Sequence, residues 1–202
     1  DPMDTFEHGT HVAGIIAANG AAQGVAPDAR LVAVKVISED GSSTGAVYTS
    51  SIVRGLGWLV TAKEGYGLNV QGFNFSIGGL SGVTYAARAA FALAENSGIV
   101  AFVASGNNGQ NLDDTESILS AVQTGNTVVV DAADANGSRA YYSNTGFVTT
   151  DLFAPGSGIL STVPSSQAKF YPSVSKLFGE ALVYEGFEDE GAQADGDAGD
   201  GL

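Results

Sequence analysis

The chain alternates short apolar runs rich in β-branched residues with longer stretches whose apolar residues recur at helical spacing. Leu31-Val32-Ala33-Val34-Lys35-Val36-Ile37 is mostly apolar and β-branched at Val32, Val34, Val36 and Ile37. Such a run predicts a strand buried on both faces, as in a parallel sheet. A helix is expected from about Ala46 to Ala62, with Ile52, Val53, Leu56, Leu59 and Val60 spaced along it and Trp58 packing near its end. Asn69 to Ile77 predicts a strand, and Val83 to Asn96 predicts a helix with Gly98 as its stop. Ile99 to Ala104 and Thr127 to Val130 predict two more strands. The order implies an α/β fold in three layers, a mainly parallel sheet with helices on both faces. In such sheets a site is expected at the carboxyl ends of the strands.

Two short stretches carry candidate chemistry. The first is His8-Gly9-Thr10-His11-Val12-Ala13-Gly14, the opening of a helix predicted from His8 to about Ala18 and ended by Asn19-Gly20. It places an imidazole, which titrates near neutrality and suits a general base, at a helix start. A lone histidine reads as an ordinary core or surface residue, but the chain has only 2 His and both fall in this run. The second is Ser105-Gly106-Asn107-Asn108-Gly109, directly after the Ile99–Ala104 strand. Gly-Asn alone is usually a turn. After an apolar strand, its carboxamide becomes a neutral donor that can be aimed at developing negative charge.

Both stretches resemble motifs of the subtilisin-like serine proteases, the subtilases. His8 to Gly14 matches that family's histidine motif at every position, and Ser105 to Gly109 resembles A-[AS]-G-N-x-G. Asn74-Phe75-Ser76-Ile77-Gly78-Gly79 resembles N-x-S-[LI]-G-G. Tyr142-Ser143-Asn144-Thr145-Gly146 and Asp151-Leu152-Phe153-Ala154-Pro155-Gly156 resemble F-S-N-x-G and D-[LV]-x-A-P-G, and Ile159 to Val163 matches the strand that follows. The resemblance implies a subtilisin-like fold and hydrolysis of peptide bonds by acyl transfer. His8 is then the catalytic acid/base, His11 is structural, and Asn107 donates to the oxyanion. Ser76, Ile77, Gly78, Ala104, Ser105 and Gly106 are then expected to bind the backbone of a peptide or protein substrate. Gly41 and Ser42 in the Glu39–Gly45 turn are candidates for the same role, with a plain glycine turn as the alternative. The family implies an extracellular or cell-surface location. No cofactor is implied. Ala21-Ala22-Gln23 offers few oxygen ligands, so no calcium site is expected there and no metal is assigned.

The pattern departs from the family in several places. Glu7 stands where subtilases usually have Gly, and its carboxylate either favours the charged imidazole or points to solvent. Residues Asp113 to Gln123 contain no Pro, so the pocket-shaping segment is not carried over. The nucleophile motif G-T-S-M-A-x-P is absent, and Ser173 and Ser175 lie in no comparable turn. Asp1 and Asp4 sit too close to His8, with no strand before them, to be the orienting Asp. The reading is therefore a partial catalytic domain over 1–164, truncated at both ends, with the Ser and Asp outside this chain. Residues 165–202 read as a divergent acidic tail, with the start of an inserted β-rich accessory domain as one reading of it. The 202 residues alone are expected to be inactive. The alternative is a pseudoprotease, a non-catalytic module that binds peptides.

Composition narrows partners. Asp and Glu number 22 against 8 Lys and Arg, a net charge of −14 that argues against nucleic acid, whose phosphates need a basic stripe. Gly106-Asn107-Asn108-Gly109 lacks the three-glycine fingerprint of a nucleotide loop. No run is long and apolar enough to span a membrane, and 0 Cys excludes disulfides and thiolate metal sites. Oligomeric state is left open.

Overall fold

The computed structural model describes residues 4, 6–20, 22–38, 46–77, 85–114 and 125–164. These fall into two compact units, one holding the residues up to Ala46 together with 158–164, the other running from Val47 to Ser157.

In the first unit the histidine run forms helix α1, His8–Ala17. The helix lies against residues 159–162. A Cβ on Gly14 would fall 2.2 Å from Thr162 Oγ1 and 2.3 Å from Ser161 Oγ, so only glycine fits that contact. Ser161 Oγ donates to the His11 carbonyl (2.6 Å) and Thr162 Oγ1 to the Thr10 carbonyl (2.9 Å). Ile159 to Val163 thus serves as a strap on α1, where the sequence predicted a strand. Beyond α1 the chain folds back. The N–H groups of Val25 and Ala26 reach the carbonyls of Ile15 and Ile16, which as last-turn groups have no partner inside the helix.

The predicted strand over Leu31–Ile37 is a correction. Only β1, Ile37–Ser38, is regular, and it pairs with β2, Ala46–Val47. Leu31 and Val32 are each 48% exposed. A strand buried on both faces needs hydrogen-bonded neighbours on both edges. Among the described residues, 31–36 join no strand.

The second unit is built on a four-stranded, all-parallel sheet. Its strands lie in chain order: β3 (Gly72–Phe75), β4 (Val100–Ala104), β5 (Thr127–Ala133) and β6 (Leu152–Pro155). Helix α2, Thr49–Tyr66, starts later and ends later than its apolar spacing implied, stopped by left-handed Gly67 (φ 67°). Helix α3, Tyr85–Asn96, ends before Gly98 (φ 66°) as expected. The α2 side chains Ile52, Leu56, Leu59 and Val60 are buried, whereas Trp58 remains 46% exposed and does not pack as predicted. Buried Ala87, Ala90 and Ala94 let α3 approach α2 closely, and Phe91 anchors α3 to the sheet. Its ring meets Phe73 (5.5 Å) and Phe75 (5.4 Å) edge to face. In parallel register that sheet face continues through Ala101 and Val103 to Val129. On the other face Phe102 and Leu152 are about half exposed. Among the described residues no helix is long and apolar enough to cross a membrane.

Candidate active site

His8 is the first residue of α1, and the chain enters it through a strained turn. The Phe6 carbonyl accepts from the His8 N–H (2.8 Å), with Glu7 between them at φ 65°, ψ −34°. This is a γ-turn of positive φ, a rare conformation for a residue with a side chain. Glu7 makes no side-chain cap, and Asp4 does that work instead. Its carboxylate accepts from the N–H of Phe6 (2.9 Å), the N–H of Thr10 (2.6 Å) and Thr10 Oγ1 (2.7 Å). Asp4 thus satisfies a first-turn donor of α1 from outside the helix. Burial alone would push the Asp4 carboxyl up. The hydrogen bonds from Thr10 and Phe6 and the neighbouring His8 outweigh it and hold that carboxyl below its ordinary value.

Burial lowers the pKa of His8, the Asp4 carboxylate partly offsets this, and His11 adds to the lowering. The imidazole is therefore neutral near pH 7, the form that can accept a proton. His11 is buried, and its Nε2 lies 3.2 Å from the Ile159 carbonyl. Burial lowers its pKa too, and that carbonyl contact partly restores it.

In the second unit, the parallel strands bring two predicted segments to one edge. Phe75 pairs with Val103, so Ser76 and Ile77 after β3 lie beside the end of β4. There Ala104 leads into buried Ser105, left-handed Gly106 (φ 102°) and exposed Asn107. Gly41, Ser42 and Gly78 lie outside the described residues.

The loop from Ser105 to Gln110 is held by a residue to which the sequence assigned no role. Asn144, 5% exposed, accepts through Oδ1 from the N–H of Asn108 (3.0 Å) and of Gln110 (2.9 Å). Its Nδ2 donates to the Ser105 carbonyl (2.9 Å), and its own N–H to the Gly106 carbonyl (2.9 Å). The signal was present, since Asn144 is the central residue of a quoted motif. Its target, 34 to 39 residues away, was not readable from spacing. Asp113 acts similarly on the next stretch. Its carboxylate accepts from the N–H groups of Phe147 (2.6 Å), Val148 (3.1 Å) and Thr149 (3.0 Å) and from Thr149 Oγ1. The Thr149 hydroxyl is the first cause of a lowered Asp113 pKa; burial opposes it, and the amides of Phe147, Val148 and Thr149 add to the lowering. Among the described residues no three His, Asp or Glu side chains cluster as metal ligands do.

A parallel sheet bearing an amide-carrying loop at its carboxyl edge defines an α/β protein with its candidate site on strand-end loops. The model of the Subtilase family matches residues 1–177, and the chain belongs to that family. It is 36% identical over 195 residues to "Subtilisin-like protease 1" of Arthroderma gypseum, covering 92% of this chain and 38% of that protein. It is 36% identical over 176 residues to Subtilisin E of Bacillus subtilis, covering 86% and 43%. A solved cold-adapted subtilisin-like serine proteinase matches with TM-score 0.63 and 32% identity, over 79% of this chain and 52% of that one. Sphericase matches with TM-score 0.63 and 27% identity, over 80% and 56%. The chain thus spans about two fifths of those curated relatives and about half of those solved structures.

Proposed function

We propose that this chain is part of the catalytic domain of a serine endopeptidase that hydrolyses peptide bonds by acyl transfer. His8 is the general acid/base, and Asn107 donates to the oxyanion of the tetrahedral intermediate. Gly41, Ser42, Ser76, Ile77, Gly78, Ala104, Ser105 and Gly106 bind the substrate backbone, with a peptide pairing at the strand ends as an added strand. The same reading puts the enzyme outside the cell or at its surface. The observation that carries it is the intact histidine motif at the head of α1, where partial burial of His8 favours the neutral imidazole. A base and an oxyanion donor cannot form an acyl-enzyme alone, and the nucleophile motif is absent from these 202 residues.

A serine-directed fluorophosphonate tests both halves. The 202-residue segment should not be labelled. A longer chain that also carries G-T-S-M-A-x-P and the upstream Asp should be labelled and should cleave casein, and His8→Ala should abolish both. Labelling of the segment would refute its inactivity. Cleavage that survives His8→Ala would refute the role of His8.

A further inference from the structure

Asn107 sits between residues that one buried residue ties down through its side chain and its own N–H. Asn144 holds Ser105 and Gly106 before it, and Asn108 and Gln110 after it. The Ser105 hydroxyl returns a bond to the Asn144 carbonyl (3.3 Å). Gly106 is shaped to this contact. It adopts φ 102°, and a Cβ there would fall 2.6 Å from Asn144 Nδ2. The clamp uses both ends of the carboxamide, acceptor and donor, so the side chain has one orientation in which all three of its bonds form. Asn107 itself is exposed at the crest of the clamped loop.

We infer that Asn144 is the positioning residue of the oxyanion loop, locking the backbone on both sides of Asn107 so that its carboxamide is aimed before substrate arrives. This rests on the reading of Asn107 as the oxyanion donor. A preorganised donor stabilises the transition state because it needs no reorientation during reaction. A displacement of about 1 Å at such a group can cost on the order of 100-fold in rate.

The test is a double-mutant cycle in the longer, active chain. Asn107→Ala should lower kcat on the order of 10²–10³, a magnitude known from a subtilisin and carried over, not calculated from this chain. Asn144→Ala should lower kcat by roughly 10- to 100-fold with KM within about twofold, since it acts through a group engaged in the transition state. Asn107→Ala/Asn144→Ala should be no slower than Asn107→Ala alone, because a donor already absent cannot be misaimed. A double variant slowed by the product of the two single losses would overturn the positioning role and leave Asn107 standing. Asn107→Ala without effect on kcat would overturn the reading of Asn107, and this inference with it. Should Asn144→Ala not fold, Asn144→Asp takes its place in the cycle. It keeps both acceptor contacts and replaces the donor to Ser105 by a charged oxygen that repels that carbonyl, and the same two outcomes decide.

Discussion

Glu7 carries the clearest local conflict in the chain. Its φ of 65° is the only positive value among described residues other than glycine, and it falls directly before His8. The two uses open to its carboxylate in the sequence were to favour the charged imidazole or to face solvent. Neither accounts for the backbone, which bends into a γ-turn so that Phe6 can accept from His8. Holding a side chain in such a conformation costs on the order of 1–3 kcal/mol. Glycine adopts it freely but gives up about 0.5–1 kcal/mol in extra chain entropy on folding. The strain is the larger quantity, so Glu7→Gly should stabilise the fold by about 1 kcal/mol. A urea denaturation curve would read this as a higher midpoint at unchanged slope. A lower midpoint would mean that Glu7 makes a contact worth more than its strain.

Among the elements, β5 shows how far sequence pattern reached and where it stopped. Thr127 to Val130 is β-branched at every position except Asn126 before it, and the strand was legible there. The predicted strand stops at Val130, and the residue that follows, Asp131, is of a type depleted in strands. The backbone overrides that preference. Asp131 pairs with Phe153 of β6, Ala133 pairs with Pro155, and the strand runs through to Ala133. The same blindness to partners produced the error over Leu31–Ile37, an ideal strand by composition that finds almost no ladder. The helices were legible because their period is internal to each segment. Pairing and clamping are not, and so the work of Asn144 and Asp113 was invisible while His8 and Asn107 stood out. Asp131 leaves a consequence to test. It is 1% exposed, and neither carboxylate oxygen has a hydrogen-bond partner among the described residues. Desolvation without a partner costs at least about 1–3 kcal/mol for a polar group and more for a charged one. Asp131→Val suits the strand and adds little volume, so it should stabilise by about 1–3 kcal/mol, read as a raised thermal midpoint. A fall of that size would reveal a partner for this carboxylate.

For the molecule as a whole, two opposing effects compete as pH falls below neutral. The chain carries a net charge of −14, and protonation toward its pI of about 4.1 relieves self-repulsion, which favours the folded state. Against this, His8 and His11 both have pKa values lowered from the ordinary 6.5 by burial. In the unfolded chain they take up protons near pH 6.5, while in the folded chain they resist until lower pH. The unfolded state therefore binds more protons in that window, and stability falls as pH falls. Asp4 acts in the same direction lower down. Its carboxyl is held below the ordinary 3.8, so its contribution is complete above that value and lost beneath it. The two effects separate by salt. Repulsion between surface charges is screened beyond about 8 Å at 0.15 M salt, whereas the buried His11 and half-buried His8 imidazoles are screened less. Denaturation midpoints measured from pH 8 to pH 5 in 0.15 M and 0.5 M salt should therefore decline below about pH 6.5, and more visibly at the higher salt. His11→Gln retains an amide donor toward the Ile159 carbonyl and removes one titrating group. Its decline over the same window should be shallower than that of the parent chain, at either salt concentration. Parallel curves for the two proteins would show that His11 takes no part in the acid response and would leave the decline to His8.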